Sequence, residues 1–139
     1  MTRIKDWKVE DLTSEQKEIH DTIINGPRGH VVGPLRVWLN NPGLARSAQT
    51  VGAYARYGTC LSKGLSELAI IVTGRVWSSE FEWEHHAPLA IKGGIEPKHV
   101  ETISLGKKPN FKRPEEDAVF DSAAEANIVK NVSDNTYNK

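Results

Sequence analysis

Residues 78–86, Ser-Ser-Glu-Phe-Glu-Trp-Glu-His-His, gather two imidazoles, three carboxylates and an indole into nine positions. At about 100° per residue, a helix lines up Ser79, Glu82 and His86 along one stripe, with Trp83 beside it. His85 then points roughly 100° away. A hydroxyl, a carboxylate and an imidazole on one face are the parts of a proton-transfer site. The same letters also describe a solvated Glu82–His86 surface pair, worth about 0.2–0.5 kcal/mol. The two readings differ in what the stripe must face. A relay requires Glu82 and His86 to converge on a partly enclosed pocket, with His85 directed elsewhere.

The elements that must position this stripe are helical. Thr13-Ser14-Glu15-Gln16 reads as a capping box that opens a helix over 14–24, which Asn25-Gly26-Pro27 stops. A glycine- and proline-rich loop with Arg28 and His30 follows, then a short helical turn over 35–39. Asn41-Pro42 starts a helix carrying Leu44, Ala48, Val51 and Ala55, ending near Gly58. The next begins between Ser62 and Leu65 and runs to Val76 or Trp77. The motif helix extends through Ile91 to a stop at Gly93-Gly94. Pro97 opens a short helix to Ile103, and Pro114-Glu115-Glu116-Asp117 opens a last one over 114–130, its acids favourable to the macrodipole. Residues 131–139 are polar and expected to be partly disordered. No segment alternates with period two, so the chain reads as all-α.

One acid sits in the apolar run before the motif. In Leu65-Ser-Glu-Leu-Ala-Ile-Ile-Val, Glu67 precedes Ser79 by twelve residues. That run, continued through Glu82-Trp83-x-x-His86 to Ala90-x-x-Gly93, resembles the carboxymuconolactone decarboxylase-like family, whose superfamily includes the alkylhydroperoxidase D proteins. Gly33-Pro34-Leu35-x-Val37-Trp38-Leu39-x-x-Pro42-x-Leu44-Ala45 is similar to the family's entry segment. The resemblance covers residues 33–103, about half the chain. It implies an alkylhydroperoxidase D-like helical subunit with one domain over 1–139, a core over 33–105 and about six or seven helices. It also implies a homo-oligomer, trimeric or hexameric, with sites near subunit interfaces. Family members usually continue with further helices, so this chain looks short at its C-terminus, as a reduced version or a sequence that stops early.

The peroxidase branch carries Cys-x-x-Cys-x-x-x-His in this helix. By register its cysteines fall on Ser79 and Glu82 and its histidine on His86, so thiol peroxidase chemistry is not expected. Cys60, the sole cysteine, has no partner with which to form a redox pair. The decarboxylase branch, which carries Glu-Trp-x-x-His, resembles the chain better. Its chemistry expels carbon dioxide from a carboxylated lactone and reprotonates an enolate, with neither metal nor redox cofactor. On that likeness Glu82 and His86 supply the proton relay, and Glu67 holds or feeds His86.

Other assignments remain beside these. Glu67 would alternatively pair with Arg75, two turns on, or Arg75 would bind a substrate carboxylate through its bidentate guanidinium. Arg56 and Arg36 are weaker candidates for that task. His30, His85, Ser79 and Trp83 are candidate substrate contacts, although Trp83 and Trp38 suit packing better. Glu82 and His86 with His85 or His30 would supply three metal ligands, but without the two-histidine spacing of a zinc helix. No metal or other cofactor is expected. The Gly93-Gly94 pair reads as a helix stop and nothing more. A non-catalytic, oligomeric small-molecule-binding protein of the same fold is the alternative to an enzyme.

Eighteen basic residues balance eighteen acidic ones, which leaves no global field to draw nucleic acid or an anionic membrane. An apolar content of 38% with four tryptophans suggests a subunit that completes its core by association. No run approaches the roughly 20 apolar residues of a membrane span. The polar start has no apolar signal core, so the cytoplasm is the expected location and the Asn131-Val132-Ser133 sequon reads as chance.

Overall fold

Each helix begins at a residue able to satisfy or dispense with the backbone N–H groups of a first turn. The computed structural model describes residues 3–139, and among them lie eight α-helices and one 3-10 turn, with no strand. The helices are α1 (Ser14–Ile24), α2 (Pro34–Trp38), α3 (Pro42–Tyr57), α4 (Lys63–Val76), α5 (Glu80–Lys92), α6 (Pro97–Ser104), α7 (Pro114–Ile128) and α8 (Asp134–Tyr137). Thr13 Oγ1 accepts from Gln16 N while Gln16 Oε1 accepts from Thr13 N, closing the expected capping box. Asn41 and Ser62 cap α3 and α4, and proline opens α2, α3, α6 and α7.

Two details depart from the sequence reading. The helix count is eight, not six or seven, because residues 134–137 form a helical turn in the tail expected to be partly disordered. Ser133 caps that turn, and the buried Thr136 hydroxyl donates to Glu125 Oε1 at 2.7 Å. Helix α7 ends at Ile128 and not at 130, because Lys130 is left-handed with φ 63°.

By its internal contacts the chain divides after Thr59, within the segment 33–105 that the family likeness treats as one core. In the first unit Ile19, Ile23, Leu35, Leu39 and Ala45 form the core, with Leu12, Val31 and Trp38 packed on it. Gln16 Nε2 donates to Leu39 O at 2.8 Å, tying α1 to the end of α2. In the second unit, Cys60–Lys139, α4 and α5 form a helical hairpin, and α7 lies along α4. Leu68, Ile71, Val72, Ala87, Ala90, Ile95, Val100 and Ile103 make its core, with Val119, Phe120, Ala123 and Ala124 of α7 against it.

Glycine sets the spacing of the hairpin at both ends. A Cβ on Gly64 would stand 2.4 Å from Gly93 O, so α4 starts in backbone contact with the end of α5. Gly93 is therefore a packing surface as well as a stop, a correction to the sequence reading. At the other end a Cβ on Gly74 would meet Glu82 Cβ at 3.2 Å, so α5 lies close over α4 beside Glu82. No described helix is long and apolar enough to cross a membrane.

Candidate functional site

The helical hairpin places the His86 ring within ion-pair distance of two of the expected carboxylates, Glu67 and Glu82. Glu67 lies on the buried face of α4 among Gly64, Leu68, Ile71 and Val72. His86 lies on the buried face of α5 with Ala87 and Ala90. Glu67 Oε2 is 2.6 Å from His86 Nδ1, and both side chains are 9% exposed. On the far side of the ring, Glu82 Oε2 is 3.2 Å from His86 Nε2, and Glu82 is 32% exposed. The imidazole is thus bracketed by two carboxylates, one inside and one reaching outward.

Counting donors defines what this chain of groups can do. An ionised Glu67 only accepts, so His86 Nδ1–H donates to it and the tautomer is fixed from the inside. That leaves Nε2 facing Glu82. At 3.2 Å the two are at ion-pair distance, close enough for a proton to pass between an imidazole and a carboxylate. Glu67 positions and polarises the ring, while Glu82 connects it to the outside.

The turn between α4 and α5 determines where Ser79 stands. Ser79 N donates to Gly74 O at 2.8 Å and Ser78 N to Arg75 O at 3.2 Å, with Ser78 left-handed at φ 52°. This is a Schellman close with serine where glycine is usual. Ser79 is consequently the extended N-cap of α5, not a member of its helical stripe, a correction to the expected register. Its side chain caps no backbone N–H. The sequence reading missed the close because the usual glycine signal is absent.

Arg75 takes a different partner from the carboxylate proposed for it. Its Nε donates to Ser104 O at 2.8 Å, at the C-terminal end of α6, whereas Glu67 bonds His86. The guanidinium, Ser79 and Trp83 line a cavity of ≈ 380 Å³ together with Gly74, Ser78, Glu80, Glu84 and Ser104. Glu82 and His86 are not among its lining residues.

His85 stacks on Phe81, 6.0 Å between centroids, and meets the His86 ring edge-on at 4.8 Å. It therefore braces the His86 ring from the neighbouring position. Trp83 packs against the core of the second unit. His30 is an exposed residue of the loop after α1, in the first unit. Arg56 lies in the last turn of α3 with its guanidinium carbon 5.1 Å from the Tyr57 ring, and Arg36 is paired with Asp6 at 2.7 Å. Cys60 is exposed. No cluster of three or more metal-ligating side chains was found among the described residues.

Sequence reasoning left a second histidine–glutamate pair unremarked. His99 of α6 and Glu116 of α7 are both buried, with Nδ1 3.7 Å from Glu116 Oε2. Pro97 and Pro114, which open the two helices, are the sequence signals near them.

The chain matches no family model, no curated protein and no solved structure.

Proposed function

We propose that Glu67, His86 and Glu82 form a proton-transfer site, and that the protein is a cofactor-independent, carboxymuconolactone decarboxylase-like lyase or isomerase of small carboxylated or lactone substrates. The observation that carries this reading is the buried imidazole held at 2.6 Å by one carboxylate and faced at 3.2 Å by a second, partly exposed one. A solvated surface pair would need neither the burial nor the inner acid. The Glu-Trp-x-x-His motif and the Glu67 segment supply the likeness to the family.

In the proposed reaction a substrate carboxylate leaves as carbon dioxide, and its bonding electrons pass into the conjugated lactone carbonyl. The enolate then takes a proton on carbon from His86 Nε2, and Glu82 restores that proton from solvent. Glu67 keeps the ring oriented throughout. Arg75 is the proposed grip for an oxyanion of the substrate, with Ser79, Trp83 and His85 as further contacts. Self-association to a trimer or hexamer belongs to the same reading. The exposed Leu44, Val51 and Tyr54 of α3 are the apolar surface in its favour.

A specific observation favours the second reading, a binding protein without turnover. The cavity beside Ser79, Trp83 and Arg75 does not include the two outer relay residues. Incubating the purified protein with carboxylated lactones and phenolic acids, and following carbon dioxide release, separates the two. Release lost in His86→Ala supports the enzyme. Saturable binding of the same compounds with no release in any case supports the binding protein.

A further inference from the structure

The first unit contains an arginine whose surroundings differ from those of its neighbours. Arg46 pairs with Glu18 at 2.9 Å and Arg36 with Asp6 at 2.7 Å, both at the surface. Arg28, in the loop after α1, has no carboxylate partner among the described residues. Its Nε is closed off from solvent and makes no hydrogen bond. The guanidinium lies against α3 at Gly52, where a Cβ would stand 2.7 Å from Nη2. Glycine at 52 therefore makes the seat in which the planar group rests.

A second arginine acts on Arg28 from α3. Burial holds Arg28 below the ordinary arginine range; Tyr57 opposes the shift and the charge of Arg56 adds to it. Arg56 follows Gly52 by one helical turn, so it lies on the same side of α3. A guanidinium that has lost water at Nε, without a carboxylate in exchange, is an unfavourable arrangement on its own. An oxyanion across its Nη groups offsets that cost with two parallel charge-assisted bonds.

We propose that Arg28, seated on Gly52 with Arg56 alongside, is a binding site for a small oxyanion, a carboxylate or a phosphate. The ligand bridges the Nη groups end-on, and the buried Nε fixes the direction in which they point. The site does not depend on the chemistry assigned to His86.

Side-chain NMR of the intact protein, titrated with sodium benzoate and separately with inorganic phosphate at constant ionic strength, tests this. The Arg28 resonances should shift saturably, with affinity about tenfold weaker in Arg28→Gln, read from the remaining perturbed signals. Gly52→Ala should weaken binding comparably, because its methyl displaces the guanidinium tip while the helix keeps a better former. Arg28→Lys keeps the charge and loses the fork, so it should also weaken binding; Arg46→Gln should not. Saturation by only one of the two probes assigns the site to that chemistry. No saturation below about 10 mM in the wild type, or equal affinity in the wild type and the folded variants at 28 and 52, overturns the proposal.

Discussion

Two buried histidine–glutamate pairs lie in the same unit, and they are built to opposite ends. His86 is bonded to Glu67 on one nitrogen and faces Glu82 on the other, and Glu82 reaches solvent. His99 has no hydrogen bond on either nitrogen, and its nearest carboxylate oxygen is 3.7 Å away. Phe111 closes over the His99 ring edge-on at 4.9 Å, and Glu116 is satisfied by Arg113. Both imidazoles are buried, so burial alone does not make a relay. What differs is an exit: His86 Nε2 faces a carboxylate that reaches solvent, whereas His99 is packed like an aromatic ring.

The largest effect expected from this contrast is on turnover. With carboxylated-lactone decarboxylation as the assay, His86→Ala should lower the rate by about 10²–10⁴-fold. His99→Phe, which keeps a ring in the Phe111 contact, should leave the rate within about twofold, because His99 is no part of the proposed relay. Equal losses in the two variants would dissolve the comparison.

Stability should separate the pairs next. Glu67→Leu leaves a buried His86 N–H without its acceptor, at a cost of about 1–3 kcal/mol. His99→Leu removes two polar atoms that bond nothing and should change stability by less than about 1.5 kcal/mol. Urea unfolding followed by circular dichroism gives both numbers. A larger loss from the His99 change would mean that its ring has a partner in solution.

Acid should sharpen the comparison through α7, which carries Glu116. Lys108 and Lys139 bracket Asp117 and Asp121 at 2.5–2.8 Å. Hydrogen bonds from both ammonium groups hold Asp117 below the usual carboxylate range. Burial pushes Asp121 up, but the same two ammonium groups outweigh it and hold it low. Asp117 and Asp121 in turn raise Lys139 above the ordinary lysine range. The carboxylate contribution is therefore present above the unfolded value, about 3.9, and is lost as pH falls through the lower folded values. The lysine contribution is present below about 10.4 and lost as pH rises through the higher folded value. Between these limits the tail should be anchored. Hydrogen exchange below about pH 3 should loosen α8 and α7 before α4 and α5, exposing His99 ahead of His86. Simultaneous loosening of all four helices would contradict this order.

The smallest effect concerns the turn that leads into α5. Ser78 pays for a left-handed backbone at φ 52°, and Ser78→Gly should stabilise the protein by about 1 kcal/mol. Thermal unfolding checks it. Because the Schellman bonds of Ser78 and Ser79 are backbone bonds, turnover should not change.

Much of the helical structure in both units is local, and local signals were readable. The Thr13–Gln16 box, the Asn41 and Ser62 caps and the prolines at 34, 42, 97 and 114 state where helices begin, because they act on N–H groups within one turn. The apolar run around Glu67 and the 82–86 spacing likewise placed an acid and an imidazole on helices. Three facts lay beyond that reach. Ser78 closes α4 without the glycine that normally announces such a turn. Residues 134–137 fold because Thr136 and Ser133 find Glu125, a partner in another helix.

The pairing of Glu67 with His86 rather than with Arg75 is also a tertiary result. Nineteen residues separate the pair, and only the approach of α4 to α5, allowed by Gly64 against Gly93 and by Gly74 beside Glu82, brings them to 2.6 Å. The amino-acid sequence determined the helices and the residue types on their faces, since caps and helical periodicity act over a few residues. Which histidine received an exit and which was sealed was decided by packing, because a hydrogen-bond partner across two helices is a matter of distance and has no local signature.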